Sequence, residues 1–317
     1  DVGGSIRSPA HWCGICGHKM SYGLGHMHGC VPMATHASLD PRPSGRIRAR
    51  RDPSFHHDLA VSGPIARCCA DLELAVRVLA RPDPALESNG WSFVLPPPKA
   101  IEAPRLRIAA WLDSPTVPTD RDYLGLLESA VASLQSAGAQ VDREARPLPE
   151  DQFVGAVHLW WAQLQSMSPA FGSAKVPLTH TKWLGTEVKR NFIKERFAEF
   201  FQRFDVLLCP VMPIPAPPHM PLAFEGRVFK GAGIPEFRFP GVHMIFWTSV
   251  FVFADLPCTV VPVGFTPSGL PCGVQIVAPQ FHDLTSIEVG KMLERHHPAT
   301  RHVPPPGFSD TAVSSRL

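Results

Sequence analysis

Leu106-Arg107-Ile108-Ala109-Ala110-Trp111-Leu112 is an apolar run broken by one arginine. Asp122 to Ala137 follows it with a helical pattern, Gly138 closes that segment, and Ala139-Gln140-Val141-Asp142 comes next. A short apolar run of this kind reads as a buried strand, and a glycine just past a periodic segment reads as a helix stop. Strand, helix and strand at these lengths form a βαβ-like unit, which predicts an α/β fold with a parallel or mixed sheet.

The flanking chain supplies further elements. Upstream, Asp58-Leu59-Ala60-Val61-Ser62-Gly63-Pro64 leads into a helix. Pro64 suits its first turn, Ser62 or Gly63 its cap, and Leu72, Ala75, Val76 and Leu79 its buried face. That helix stops at Arg81-Pro82-Asp83-Pro84, and residues 84–104 form a Pro-rich connection. Downstream, Phe153, Trp160, Trp161, Leu164 and Met167 recur at helical spacing, a face that either packs in the core or lines a pocket. Glu187 to Phe204 reads as an amphipathic helix delivering the chain into the short strand Asp205-Val206-Leu207-Leu208-Cys209-Pro210. Residues 211–247 read as loop, Thr259 to Val263 and Gly273 to Val277 as strands, and Asp283 to Arg295 as the last helix.

Composition narrows the function classes. Hydrophobic residues make up 44% and charged residues 18% of the 317, as in a globular enzyme and unlike a disordered chain. A formal net charge of +2 points to neither nucleic acid nor an anionic membrane. The basic run Arg46, Arg48, Arg50, Arg51 sits among Pro and Gly and reads as a solvated loop. No apolar run is long enough to span a bilayer. Eight scattered cysteines make no secreted disulfide framework, so a reducing, cytoplasmic setting is expected. Cys13 and Cys16 form a C-x-x-C, and His26, His28, His56 and His57 fall in pairs. No second pair at finger spacing completes a four-ligand set, so these read as buried small residues and chance pairs, with no metal and no cofactor expected.

One stretch carries chemistry. In Asp1-Val2-Gly3-Gly4-Ser5-Ile6-Arg7, two glycines stand before a serine, so backbone can approach a ligand where any Cβ would collide. Several N–H groups and one hydroxyl can then converge on one reacting atom, as acyl transfer requires. Arg7 reads as half of a buried ion pair, and Asp1 as the residue that holds the loop rather than a base.

With these residues in view, the chain resembles the amidase signature family. The resemblance rests on Asp1 to Ala10 followed by Cys13-Gly14, Gly17 and Lys19, on Asp58 to Arg67 with Asp71-Leu72, and on Asp205 to Pro210. It continues through Leu256-Pro257, Val261-Pro262-Val263-Gly264, Gly269-Leu270-Pro271, Gly273 to Val277, and Pro304-Pro305-Pro306-Gly307-Phe308, in order along essentially the whole chain. It implies a mixed central sheet flanked by helices, with residues 1–317 forming one signature domain that is incomplete at its N-terminus. It also implies hydrolysis of a carbon–nitrogen amide bond in a small-molecule substrate by a serine–cis-serine–lysine triad. Ser5 falls at the nucleophile, and the N–H groups of Val2, Gly3 and Gly4, with Ser5 itself, fall where the family stabilises the oxyanion.

The family's triad lysine and cis-serine lie upstream of this block. Lys19 matches a different lysine of the signature, and neither Ser8 nor Ser21 matches the bridging serine. A chain lacking the upstream part is expected to expose apolar surface, which leaves self-association into a homo-oligomer open. Two alternatives stand beside the amidase: the glutamine-hydrolysing subunit of a transfer-RNA amidotransferase, and a non-catalytic amidase-like remnant.

Overall fold

Alternation along the central strands sets the layers. The computed structural model describes residues 1–26, 58–100, 102–167, 178–219, 227–238 and 241–300. In strand β3 (Arg107–Ala110), Ile108 and Ala110 enter one apolar core, while Ala109 and the following Trp111 enter another. Strand β5 (Val206–Pro210) divides likewise, with Val206 and Leu208 on the first side and Leu207 and Cys209 on the second. Successive side chains of a strand point to opposite faces, so strands that put apolar side chains on both faces must be covered on both.

Helices α2 (Cys69–Leu79), α3 (Arg121–Ser136) and α7 (Asp283–His296) cover the first face with Leu72, Val76, Leu127, Val131, Ile287 and Met292. Helices α4 (Glu150–Met167), α5 (His180–Arg203) and α6 (Val242–Phe253) cover the second with an aromatic core of Phe153, Trp160, Phe197, Phe201, Phe246, Trp247 and Phe251.

Among the described residues the sheet has seven strands. With β1 (Cys16–Lys19), β2 (Ile65–Ala66), β4 (Gln140–Asp142), β8 (Cys258–Phe265) and β9 (Pro271–Val277), their order is β2-β1-β8-β9-β5-β3-β4. The β3–β4 and β3–β5 pairs are parallel, and the pairs from β5 through β9, β8 and β1 to β2 are antiparallel. The expected βαβ unit is therefore present as β3-α3-β4, inside a mixed α/β sheet flanked by helices. A separate hairpin joins β6 (Val228–Phe229) to β7 (Phe237–Arg238), with the Phe229 and Phe237 rings stacked at a centroid distance of 5.4 Å.

Several elements depart from the sequence reading. The segment after Pro64 is strand β2, not the first turn of a helix, because Ile65 pairs with Gly17 and the Pro64 carbonyl accepts from the His18 N–H. Helix α2 starts only at Cys69, and Leu79 is exposed rather than on its buried face. Residues 242–247, read as loop, begin helix α6, whose residues from Phe246 to Phe253 are all buried. Helix α5 starts at His180, seven residues before the expected Glu187. The basic run at Arg46, Arg48, Arg50 and Arg51, together with His28, His56, His57 and the Pro304-Pro305-Pro306 tail, lies outside the described residues.

Candidate active site

The opening stretch forms a loop that enters helix α1 (Arg7–Cys13). Its shape is held by Asp1, whose carboxylate accepts from the backbone N–H groups of Gly4 (2.8 Å), Ile6 (3.1 Å) and Arg7 (3.4 Å). The same carboxylate takes two bonds from the Arg7 guanidinium, Nε at 3.0 Å and Nη2 at 2.8 Å. Five donors occupy it, which suits a clamp and leaves no lone pair for base catalysis. Arg7 is fully buried; its Nη1 donates to the Thr248 carbonyl at 2.9 Å and to Gln275 Oε1 at 2.8 Å. Gln275 Nε2 in turn donates to the carbonyls of Pro210 and Trp247. The loop is thus pinned to α6, β5 and β9 through one buried cation.

The two glycines have separate causes. A Cβ on Gly3 would stand 2.8 Å from the Trp160 ring, and Gly4 has φ +123°, a region closed to other residues. The Val2 carbonyl accepts from Trp160 Nε1 at 2.9 Å, and the Gly3 carbonyl from Thr248 Oγ1 at 2.8 Å. In a trans peptide the N–H points opposite to the C=O. Trp160 therefore fixes the direction of the Gly3 N–H, and Thr248 fixes that of the Gly4 N–H.

Ser5 is exposed at the turn into α1. Among the described residues the N–H groups of Val2, Gly3 and Ser5 have no acceptor, whereas that of Gly4 is engaged by Asp1. Ser5 Oγ has no hydrogen-bonded base among the described residues either. Lys19 is fully buried on β1, where its Nζ donates to the Met20 carbonyl at 3.2 Å and burial lowers its pKa to about 8. Ser8 Oγ donates to Met212 Sδ, and Ser21 Oγ donates to Asp283 Oδ2 at 2.6 Å. Among the described residues, neither serine and no lysine bonds to Ser5.

Ser21, Asp283 and His18 do form a buried network, with His18 Nε2 3.0 Å from Asp283 Oδ1. The carboxylate stands between the hydroxyl and the imidazole, so the histidine cannot take the serine's proton. A surface cavity of about 570 Å³, lined among others by Lys99, Arg107, Lys194, Asp205 and His282, shares no residue with the opening loop.

A serine-bearing turn with uncommitted N–H groups is thus set on a mixed sheet. A sequence model of the amidase family matches residues 1–167 and 161–286. The chain belongs to the amidase family. A glutamyl-tRNA(Gln) amidotransferase subunit of Myxococcus xanthus is 27% identical across 96% of this amidase-family chain and 64% of its own length. The corresponding protein of Bdellovibrio bacteriovorus is 25% identical across 93% and 62%. The chain thus spans a little under two thirds of the curated relatives it matches. Two solved structures share the fold. One, described as a vestigial protein complex revealing the origins of an s-triazine catabolic enzyme, has a TM-score of 0.72 at 20% identity, covering 96% of this chain and 63% of that one. The other, the corresponding glutamyl-tRNA(Gln) amidotransferase protein of Thermotoga maritima, scores 0.67 at 21% identity, covering 94% and 61%.

The structure brings Val2, Gly3, Gly4 and Ser5 into one turn of this amidase-family fold. Sequence reasoning did not single out Thr248 or Gln275 as supports for that turn. Thr248 and Ser249, the two polar residues on the otherwise apolar run 246–253, are the one signal that pointed there.

Proposed function

We propose that this chain carries the nucleophile and the oxyanion-binding turn of an amide hydrolase. One arrangement supports the reading: Ser5 is exposed beside the uncommitted Gly3 N–H, whose peptide carbonyl, that of Val2, is tied back by Trp160. In it, Ser5 Oγ attacks the amide carbon, and the carbonyl oxygen takes up the electron pair. The N–H groups of Val2, Gly3 and Ser5 stabilise that oxygen, while Gly4 supplies the turn. Donors on a rigid backbone need no reorganisation, and losing one costs about 2.7–4 kcal/mol in comparable sites. Collapse of the intermediate expels the amine, which needs a proton, and leaves an acyl-Ser5 ester that water hydrolyses. A base must take the Ser5 proton and return one to the amine. Since the described residues offer none, the reading requires the lysine and bridging serine that the family resemblance places upstream.

The substrate under this reading is a small-molecule amide. The test, on protein carrying that upstream lysine and serine, is a fluorophosphonate probe, with the adduct mapped by mass spectrometry and amide hydrolysis measured beside it. The reading expects the adduct on Ser5 and loss of both signals in Ser5→Ala. An unlabelled Ser5, with Ser5→Ala indistinguishable from the parent, favours the non-catalytic remnant instead.

A second reading is favoured by the names of the curated relatives, which are amidotransferase subunits. Under it the amide is glutamine, and the ammonia released passes to a partner. Co-purification with RNA and a second protein, together with glutamine hydrolysis that depends on them, separates the two.

A further inference from the structure

Cys16, Cys69 and Glu294 come from β1, the start of α2 and the last turns of α7, and they meet under the sheet face opposite to α4 and α6. Their three ligand atoms lie within 4.8 Å of one another. Cys16 Sγ is 3.7 Å from Glu294 Oε1, and that oxygen also accepts the Cys69 N–H at 2.7 Å. The Arg67 carbonyl stands 4.0 Å from Cys16 Sγ. Around a tetrahedral zinc ion, metal–sulfur and metal–oxygen bonds of about 2.3 and 2.1 Å put sulfur and oxygen about 3.6 Å apart and two sulfurs about 3.8 Å apart. The carboxylate–thiol pair already has that spacing.

The pocket is also shaped for its sulfur. A Cβ on Gly290 of α7 would stand 2.6 Å from Cys69 Sγ, so only glycine leaves the thiol its place. The C-x-x-C spacing misdirects here: Cys13 is exposed and Cys16 buried, and the partners of Cys16 are remote, Cys69 and Glu294 being 225 positions apart.

We propose that Cys16, Cys69 and Glu294 form a structural site for a thiophilic divalent cation of the zinc type, with the Arg67 carbonyl or a water as fourth donor. Two thiolates and a carboxylate favour zinc over magnesium or calcium, which take oxygen ligands. Binding forms two metal–sulfur bonds and releases two protons to solvent, and no redox step is involved. Thiol ligands must lose their protons to bind, so uptake strengthens as pH rises. The ion would tie β1, α2 and α7 together away from Ser5.

Titration of the full chain, reduced and freed of metal with a chelator, by Co²⁺ tests the site. The expected result is one equivalent bound, with a thiolate-to-cobalt charge-transfer band and tetrahedral visible bands. The band should vanish in Cys16→Ser and Cys69→Ser and persist in Cys13→Ser. Glu294→Gln should weaken binding by more than about tenfold, since even supporting residues of metal sites cost that much. A parent chain with no charge-transfer band at one equivalent overturns the site whatever the variants do. So does a Cys16–Cys69 disulfide found in place of metal, or loss of the band in Cys13→Ser.

Discussion

Arg7 spends its whole guanidinium on protein partners, and the loop around Ser5 depends on it. Breaking a buried ion pair by removing one partner typically costs about 3–5 kcal/mol, because the other charge stays buried and unpaired. Arg7→Ala should lower the unfolding free energy by that order, read from the denaturant curve, and Arg7→Lys should recover only part, since an ammonium cannot match the two-pronged contact with Asp1. Another buried group carries a pH signature. His11 accepts the Gly273 N–H at Nδ1 (2.8 Å) and lies 3.1 Å from the Ile214 carbonyl at Nε2. That pairing fits the neutral ring, and burial lowers its pKa to about 4. Between about pH 6.5 and 4 the unfolded chain therefore binds more protons than the folded one, so stability is full above this window and falls on acidification. Unfolding measured across it should show a loss of up to about 3 kcal/mol that His11→Gln diminishes. Gly3 and Gly4 were legible in the sequence because absence of a side chain is itself a signal. Gln275 was not, since its role is to bond main-chain carbonyls from remote parts of the chain.

At the scale of elements, helix α3 shows a local signal that survives folding. Asp120 caps it by accepting from the N–H groups of Asp122 and Tyr123, and it reaches the Ala232 N–H as well. Asp120→Ala should cost about 0.5–2 kcal/mol for the cap, read as a lower melting temperature. It should also speed hydrogen exchange at Ala232, which loses its acceptor. The elements read correctly from sequence, β3, α3, β4, β5, β8, β9 and α7, have caps or runs that act within one segment. Residues 65–66 were misread because their fate depends on a β1 edge far away, which outbids the helix preference of Pro64. Helix α6 was missed for the opposite reason: buried almost all round, it has no polar face and so no 3.6-residue rhythm to detect.

Across the whole molecule, the resemblance gave the layers correctly, while nothing local announced that β1 lies next to β8 and β9 beside β5. The outer side of α5 remains apolar: Leu184, Val188 and Phe192, four residues apart, are 51%, 70% and 48% exposed. A stripe of this kind invites association. Val188→Lys with Phe192→Glu should reduce hydrophobic-dye binding and self-association in light scattering. Because these side chains are exposed, stability should change by no more than about 0.5 kcal/mol per site.

The Asp1–Arg7 clamp also sets an order of events in time. Its guanidinium bonds to Thr248 and Gln275 span 241 and 268 positions. A ribosome making this stretch finishes the Ser5 turn long before either anchor exists. At about 5–20 residues per second, many seconds pass before β9 can receive Arg7. Through that interval the nascent chain holds a serine without its framework, and the turn takes shape only when synthesis is nearly past residue 275.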